Sequence, residues 1–187
     1  RSQALRATGT EQQGAPAEVS LVWNGGFERE LVNGGFGWRR RRVAGASFDF
    51  DSAISRSGLH SLRVTFDGTT NLDLQHLVQY VLVKPRSFYR FQAYLRTEGI
   101  SSDSGIRFRI YDPQRPGTLD ISSPNLVGTV PWSLQEVQIT TGPETGLLAI
   151  MLRRIPSRKF DNKLRGSVWV DDVSLAPLES TGAPPSP

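Results

Sequence analysis

Apolar residues recur at every second position in run after run of this chain. Leu62, Val64 and Phe66 alternate with Arg63 and Thr65, and Tyr89, Phe91, Ala93 and Leu95 alternate with Arg90, Gln92, Tyr94 and Arg96. Ile106, Phe108 and Ile110 are interleaved with Arg107, Arg109 and Tyr111, and Leu148, Ile150 and Leu152 with Ala149 and Met151. A period of two puts each set on one side of a strand. In the run over 77–82, Val78, Tyr80 and Leu82 are assigned to the inner side, leaving Leu77, Gln79 and Val81 on the other. Trp132, Val137 and Ile139 mark a further strand, and in the last one Val168, Val170 and Asp172 oppose Trp169, Asp171 and Val173. Lys84-Pro85-Arg86-Ser87 and Asp112-Pro113 supply turns. No amphipathic helix and no internal repeat interrupts the pattern. At least eight short strands predict an all-β, antiparallel sandwich or barrel, one face of each strand packed inward.

The ends read differently. Residues 1–18 lack apolar periodicity and are expected to form a linker, and residues 178–187, rich in Pro, Ser and Gly, a tail. The body, 19–177, suits one domain, and 37% hydrophobic with 21% charged residues is enough to bury a core. There is no cysteine, so no disulfide and no thiol chemistry. No apolar run approaches the roughly 18 residues of a membrane span. The chain opens on Arg1 rather than Met, as an excised or processed piece would.

Charge adds one unusual note. Of 22 basic residues only Lys84, Lys159 and Lys163 are lysine. Arginine offers a planar fork suited to carboxylates, phosphates and vicinal hydroxyls. Arg39 to Arg42 run consecutively, and a second cluster gathers Arg153, Arg154, Arg158, Lys159, Lys163 and Arg165. Solvated faces, acidic glycans and nucleic acid are the three readings of such clusters. No nucleic-acid motif accompanies them, so a nucleic-acid partner is not expected.

A catalyst is hard to assemble from these residues. His60 and His76 stand in no zinc-binding spacing, and neither a nucleophile elbow nor a phosphate loop occurs. Asp49, Asp51, Asp171 and Asp172 are the carboxylates a glycosidase would draw on. Adjacent strand positions point to opposite faces, so Asp171 and Asp172 are not expected to act together. The expectation is a protein that is not an enzyme.

Three phrases remain: Asn24-Gly25-Gly26-Phe27-Glu28, Ser57-Gly58-Leu59-His60-Ser61-Leu62 before a strand, and the closing Val168-Trp169-Val170-Asp171-Asp172-Val173-Ser174-Leu175. In this order and spacing, over residues 21 to 176, the chain resembles the carbohydrate-binding modules of the family 4, 9 and 22 group, whose jelly roll is also called galactose-binding-like. The resemblance implies a non-catalytic module that binds a polysaccharide or oligosaccharide across a concave sheet. It also implies neighbouring first and last strands, and a place beside other domains of a larger bacterial envelope or extracellular protein. Carried over onto this chain, the glycan-facing positions are Gln79, Arg107, Arg109, Tyr111, Met151 and Arg153, with Trp38 and Arg41 from the first strand. Trp38 has a second reading as a core residue at the sandwich end. The resemblance further implies a structural calcium ion (Ca2+), held by the Glu28 and Asp172 carboxylates and by backbone oxygens near Gly26 and Gly58. One departure stands out: the outward positions are dominated by arginine, whereas neutral plant polysaccharides are met by more rings and amides. That leaves an acidic glycan, a bacterial exopolysaccharide, or a structural or protein-interaction module without glycan binding.

Overall fold

Alternation of this kind has one low-energy outcome, two sheets with their apolar sides together. The computed structural model describes residues 19–178 and contains ten strands and no helix among them. The linker expected over 1–18 and the tail over 179–187 lie outside the described residues. Leu178, placed in the tail by composition, is the last residue of the final strand.

The strands are β1 (Arg39–Arg40), β2 (Ala46–Asp51), β3 (Ser61–Asp67), β4 (Leu74–Leu82) and β5 (Phe88–Ile100), followed by β6 (Arg107–Tyr111), β7 (Asp120–Ser122), β8 (Gly128–Thr140), β9 (Leu147–Arg154) and β10 (Arg165–Leu178). The first sheet runs β1-β4-β9-β6-β7 and the second β2-β3-β10-β5-β8. Every pairing is antiparallel. The four strands with little or no clean alternation, β1, β2, β7 and β8, are the edges, where one side of the strand meets solvent or a partner only at its rim.

Between the sheets lie Leu62, Val64 and Phe66 of β3, Phe91, Ala93 and Leu95 of β5, Ile106 beside β6 with Phe108 and Ile110 in it, and Leu148, Ile150 and Leu152 of β9, all at most 2% exposed. Phe91 and Phe108 meet edge-on across the layer, centroids 5.1 Å apart. Val168, Val170 and Leu175 of β10 join them, fully buried, and each such large side chain contributes about 1.5–3 kcal/mol on burial.

Two strands depart from simple alternation. In β4 the phase is the reverse of the one expected. Leu77 and Val81 enter the core, Val78 and Tyr80 sit on the outer side with Ala149 and Met151, and Leu82 is 61% exposed. Both faces of β4 are apolar, so no contrast in polarity told the inner from the outer. In β10 the register shifts between Asp171 and Ser174, where Asp172 takes a left-handed φ of 49°. Aspartate tolerates that conformation better than most residues, and such a bulge re-aims the side chains around it. Val173 therefore returns to the core at 3% exposure.

The chain's lead segment lies against the end of β10. Leu21 N–H donates to Leu175 O at 2.8 Å and Val173 N–H to Gly25 O at 2.9 Å, so residues 21 and 175 are neighbours. The first and last strands are not neighbours as expected, because this segment forms no strand and β1 pairs with β4 in the opposite sheet from β10. A Cβ at Gly25 would run into the Val173 carbonyl, so only glycine allows this approach.

Candidate functional site

The outer face of the first sheet follows from the inner one. With Phe108 and Ile110 inside, β6 presents Arg107, Arg109 and Tyr111 outward; with Leu148, Ile150 and Leu152 inside, β9 presents Ala149, Met151 and Arg153. Register then places them in rows. Tyr80, Ala149 and Tyr111 are direct partners across β4, β9 and β6, and Val78, Met151 and Arg109 form the next row. Adjacent strands are about 4.8 Å apart, so the two tyrosines rise some 10 Å from each other with only the Ala149 methyl between them. Val78, Ala149 and Met151 form an apolar cluster on this face, and Tyr80 and Tyr111, both half-buried, pack against it.

Arginines cap the tyrosines. Arg39 Cζ lies 5.2 Å from the Tyr80 ring centroid and Arg109 Cζ 4.3 Å from that of Tyr111. Arg109 is itself held by Asp120, with Nε to Oδ1 at 2.8 Å and Nη2 to Oδ2 at 2.7 Å. The same pair holds the Asp120 carboxyl below its ordinary range, chiefly through the Arg109 hydrogen bonds. Burial, then the neighbouring Tyr80 phenol, raises the Tyr111 phenol. Such a face offers two rings and an apolar floor to the C–H patches of a sugar, and guanidinium N–H groups to its hydroxyls.

Of the positions carried over from the resemblance, Arg107, Arg109, Tyr111, Met151 and Arg153 share this face. Arg41 stands at its β1 edge, its N–H on His76 O at 2.8 Å and its Nη2 on Gln75 O at 3.3 Å. Two others do not belong to it. Gln79 points inward and is 1% exposed; its amide accepts from Trp23 N–H at 2.8 Å and donates to Trp23 O at 2.9 Å, acting as a strand partner for the lead segment. Trp38 is fully buried, stacked on Phe27 with centroids 5.5 Å apart, its indole N–H on Asn24 O at 3.2 Å. It is the core residue of the two readings. Tyr80, Val78, Ala149 and Arg39 replace them on the face. Nothing within β4 signals this; it follows from the pairing of Val78 with Met151, which only the folded sheet supplies.

The residues expected around calcium do meet, but through donors. Glu28 Oε1 accepts from the Leu59 and His60 amides at 2.9 and 3.0 Å, and Oε2 lies 3.3 Å from His60 Nδ1. The His60 amide is the main reason the Glu28 carboxyl sits below its ordinary range. Gly58, at φ 62°, leaves room for that carboxylate, which a Cβ would strike. Asp172 Oδ2 accepts from Arg56 Nη1 and Oδ1 from Ser57 Oγ, both at 2.6 Å. Asp171 Oδ2 accepts from the Arg56 and Ser57 amides at 2.8 and 3.2 Å, and its Oδ1 from the Asp172 amide at 2.8 Å. Here the opposite-face rule fails, because the bulge turns both aspartates onto one loop. Burial pushes the Asp171 carboxyl up.

Calcium wants six to eight oxygens converging on one point. These carboxylate oxygens converge on N–H and O–H donors instead, with Gly26 packed between Glu28 and the aspartates. Among the described residues no three acidic or histidine side chains group to hold a metal. As arranged, the Glu28 and Asp172 carboxylates do not fit calcium. The cation in this corner is Arg56, whose Cζ lies 3.4 Å from the Tyr94 ring centroid.

No protein-family model matches the chain, and no curated protein matches it. Solved structures do. A family 4 carbohydrate-binding module aligns at TM-score 0.59 and 15% identity, over 84% of this chain and 99% of its own. A family 61 module in complex with β-1,4-galactotriose aligns at 0.53 and 20%, over 86% and 99%. The family 22 xylan-binding domain of Paenibacillus barcinonensis Xyn10C aligns at 0.53 and 15%, over 90% and 100%. Ten antiparallel strands in two five-stranded sheets, superimposable on these modules along nearly their whole length, give this chain the β-sandwich fold of carbohydrate-binding modules.

Proposed function

We propose that the chain is a non-catalytic glycan-binding module that receives an oligosaccharide or polysaccharide across the outer face of its first sheet. The observation that carries this reading is the row Tyr80–Ala149–Tyr111, two rings on either side of a methyl floor on an otherwise arginine-rich surface. The rings take the apolar faces of the sugar, and Arg39 and Arg109, braced over them, donate to its hydroxyls. A binding rather than hydrolytic role is supported by the carboxylates of this face. Asp73 is tied to Arg153, and Asp120 is held below its ordinary range by Arg109, which makes it a poor general acid. The module is read as part of a larger bacterial protein of the envelope or exterior.

The test is a glycan array followed by titration of each hit against the Tyr80→Ala/Tyr111→Ala double variant. The expected result is at least a tenfold loss, about 1.4 kcal/mol, in a variant that stays folded with a melting temperature lowered by several degrees at most. A folded double variant that binds the hit as tightly as the parent chain would overturn the site.

A further inference from the structure

We propose that the glycan taken by this face is acidic, and that a uronate carboxylate lies between Arg107 and Arg153. The proposal rests on the glycan-binding reading above and adds the chemical class and the subsite.

Arg107 and Arg153 are direct cross-strand partners on β6 and β9. Like charges placed opposite one another destabilise a sheet. Arg153 is answered within the chain: its Nη1 donates to Asp73, to Leu74 O and to Arg154 O. Arg107 is not. Its Nη2 donates to the neutral Asn125 amide oxygen at 3.1 Å, its Nε is buried without a hydrogen-bond partner, and no carboxylate pairs with it among the described residues. Burial, then the charge of Arg153, lowers the pKa of its guanidinium, the mark of a cation held in an unfavourable field. The rest of the face does not correct the imbalance. It carries five arginines, Arg39, Arg41, Arg107, Arg109 and Arg153, against Asp73 and Asp120, an excess of three positive charges. His76 beside them is kept towards its neutral form, by burial first and by Arg41 second.

A planar carboxylate fits the guanidinium fork with two parallel hydrogen bonds, and on this face it would supply the charge that Arg107 lacks. Tyr111 lies four residues along β6 from Arg107, about 13 Å at the rise of a strand. A ring over the tyrosines and a carboxylate over Arg107 therefore belong to different sugars of one chain. The ligand is an oligouronide rather than a single uronic acid.

The experiment is calorimetric titration of the folded chain with an oligogalacturonate, an oligomannuronate, the oligogalacturonate fully methyl-esterified, and neutral β-1,4-galactotriose. At least one free uronate chain is expected to bind, more weakly as salt shortens the reach of the arginine field. Where oligogalacturonate binds, its ester should bind at least about tenfold more weakly. Arg107→Gln should cost the bound uronate a similar factor without moving the melting temperature. Arg86→Gln, the same change of charge in the β4–β5 turn, should cost it less than about twofold. If the ester or galactotriose binds as tightly as the free acids, or if Arg86→Gln matches Arg107→Gln, the uronate subsite is wrong while glycan binding stands. If none of the four binds, both the subsite and the glycan-binding reading fall.

Discussion

The outer faces of the two sheets are built from the same residue types and are partnered in opposite ways. On the second sheet, Trp169 is 5% exposed, its indole N–H donates to Asp51 Oδ2 at 2.8 Å, and Arg96 covers its ring at 5.5 Å. Asp51 in turn accepts from the Ala53 and Ile54 amides and from Arg63. Tyr94 on the same sheet lies beneath Arg56. Around Trp169, ring, cation and carboxylate thus complete one another. On the first sheet the tyrosines remain half-open, their floor is apolar, and Arg107 has no counter-charge among the described residues. Aromatics beside arginines do not make a binding face. What matters is whether the folded chain has already supplied their partners.

That contrast can be broken most directly at its two aromatic centres. Trp169→Ala should destabilise the fold by about 3–5 kcal/mol, the usual loss for a buried large ring. Tyr80→Ala should cost about 1 kcal/mol or less, as expected for a partly exposed position. Denaturant unfolding of both variants checks this, and equal losses would end the distinction between a closed and an open face.

Asp51→Asn tests how the closed face is held. It places an amide where a carboxylate accepts four donors, and should cost about 1–3 kcal/mol at neutral pH. Trp169 is the main reason the Asp51 carboxyl sits below its ordinary range. A lowered folded-state pKa gives stability that is complete above the ordinary carboxylate value near 4 and is lost as pH falls through the folded value. Asp171, raised by burial, acts in the other sense, favouring the fold in acid and losing that contribution as pH rises through its folded value. Melting temperature against pH should therefore fall on the acid side, less steeply in Asp51→Asn. A variant as acid-sensitive as the parent would show that Asp51 is not the responsible group.

Arg56→Met sharpens the same comparison at the end of the sandwich. With its side chain 37% exposed, the Arg56–Asp172 pair should contribute on the order of 1 kcal/mol. Chelator should leave the melting curve of the parent chain where it was. A rise in melting temperature on adding calcium would show that the Glu28–Asp172 corner rearranges to hold the ion, since a ligand of the folded state stabilises it. The smallest effect belongs to Arg39→Gln, which removes an exposed cation from over Tyr80. It should weaken glycan binding by about 0.5–1 kcal/mol and leave stability unchanged.

Much of this was legible in the alternation. Strands β3, β5, β6 and β9 each have one apolar and one mixed side, so their inner faces, and with them the outward Arg107, Arg109, Tyr111, Met151 and Arg153, follow from spacing alone. That the lead segment lies beside the end of β10 was implied only by the family resemblance of its phrases; the Gly25 approach and the bulge at Asp171–Asp172 that make it possible appear only in the fold. Tertiary structure alone decided the phase of β4, since a strand apolar on both sides is oriented by its neighbours and not by its own pattern. It also decided that Gln79 serves the Trp23 backbone, and that Asp171 and Asp172 converge on one loop. It decided, finally, which arginines are answered: Arg154, fully buried, donates to three backbone carbonyls, Asn71 and Ser102, whereas Arg107, on the neighbouring strand's outer face, has no carboxylate beside it. Composition counts guanidinium groups, but their partners come from strands far apart in the sequence, so whether a charge is satisfied is settled only when the sheets are assembled.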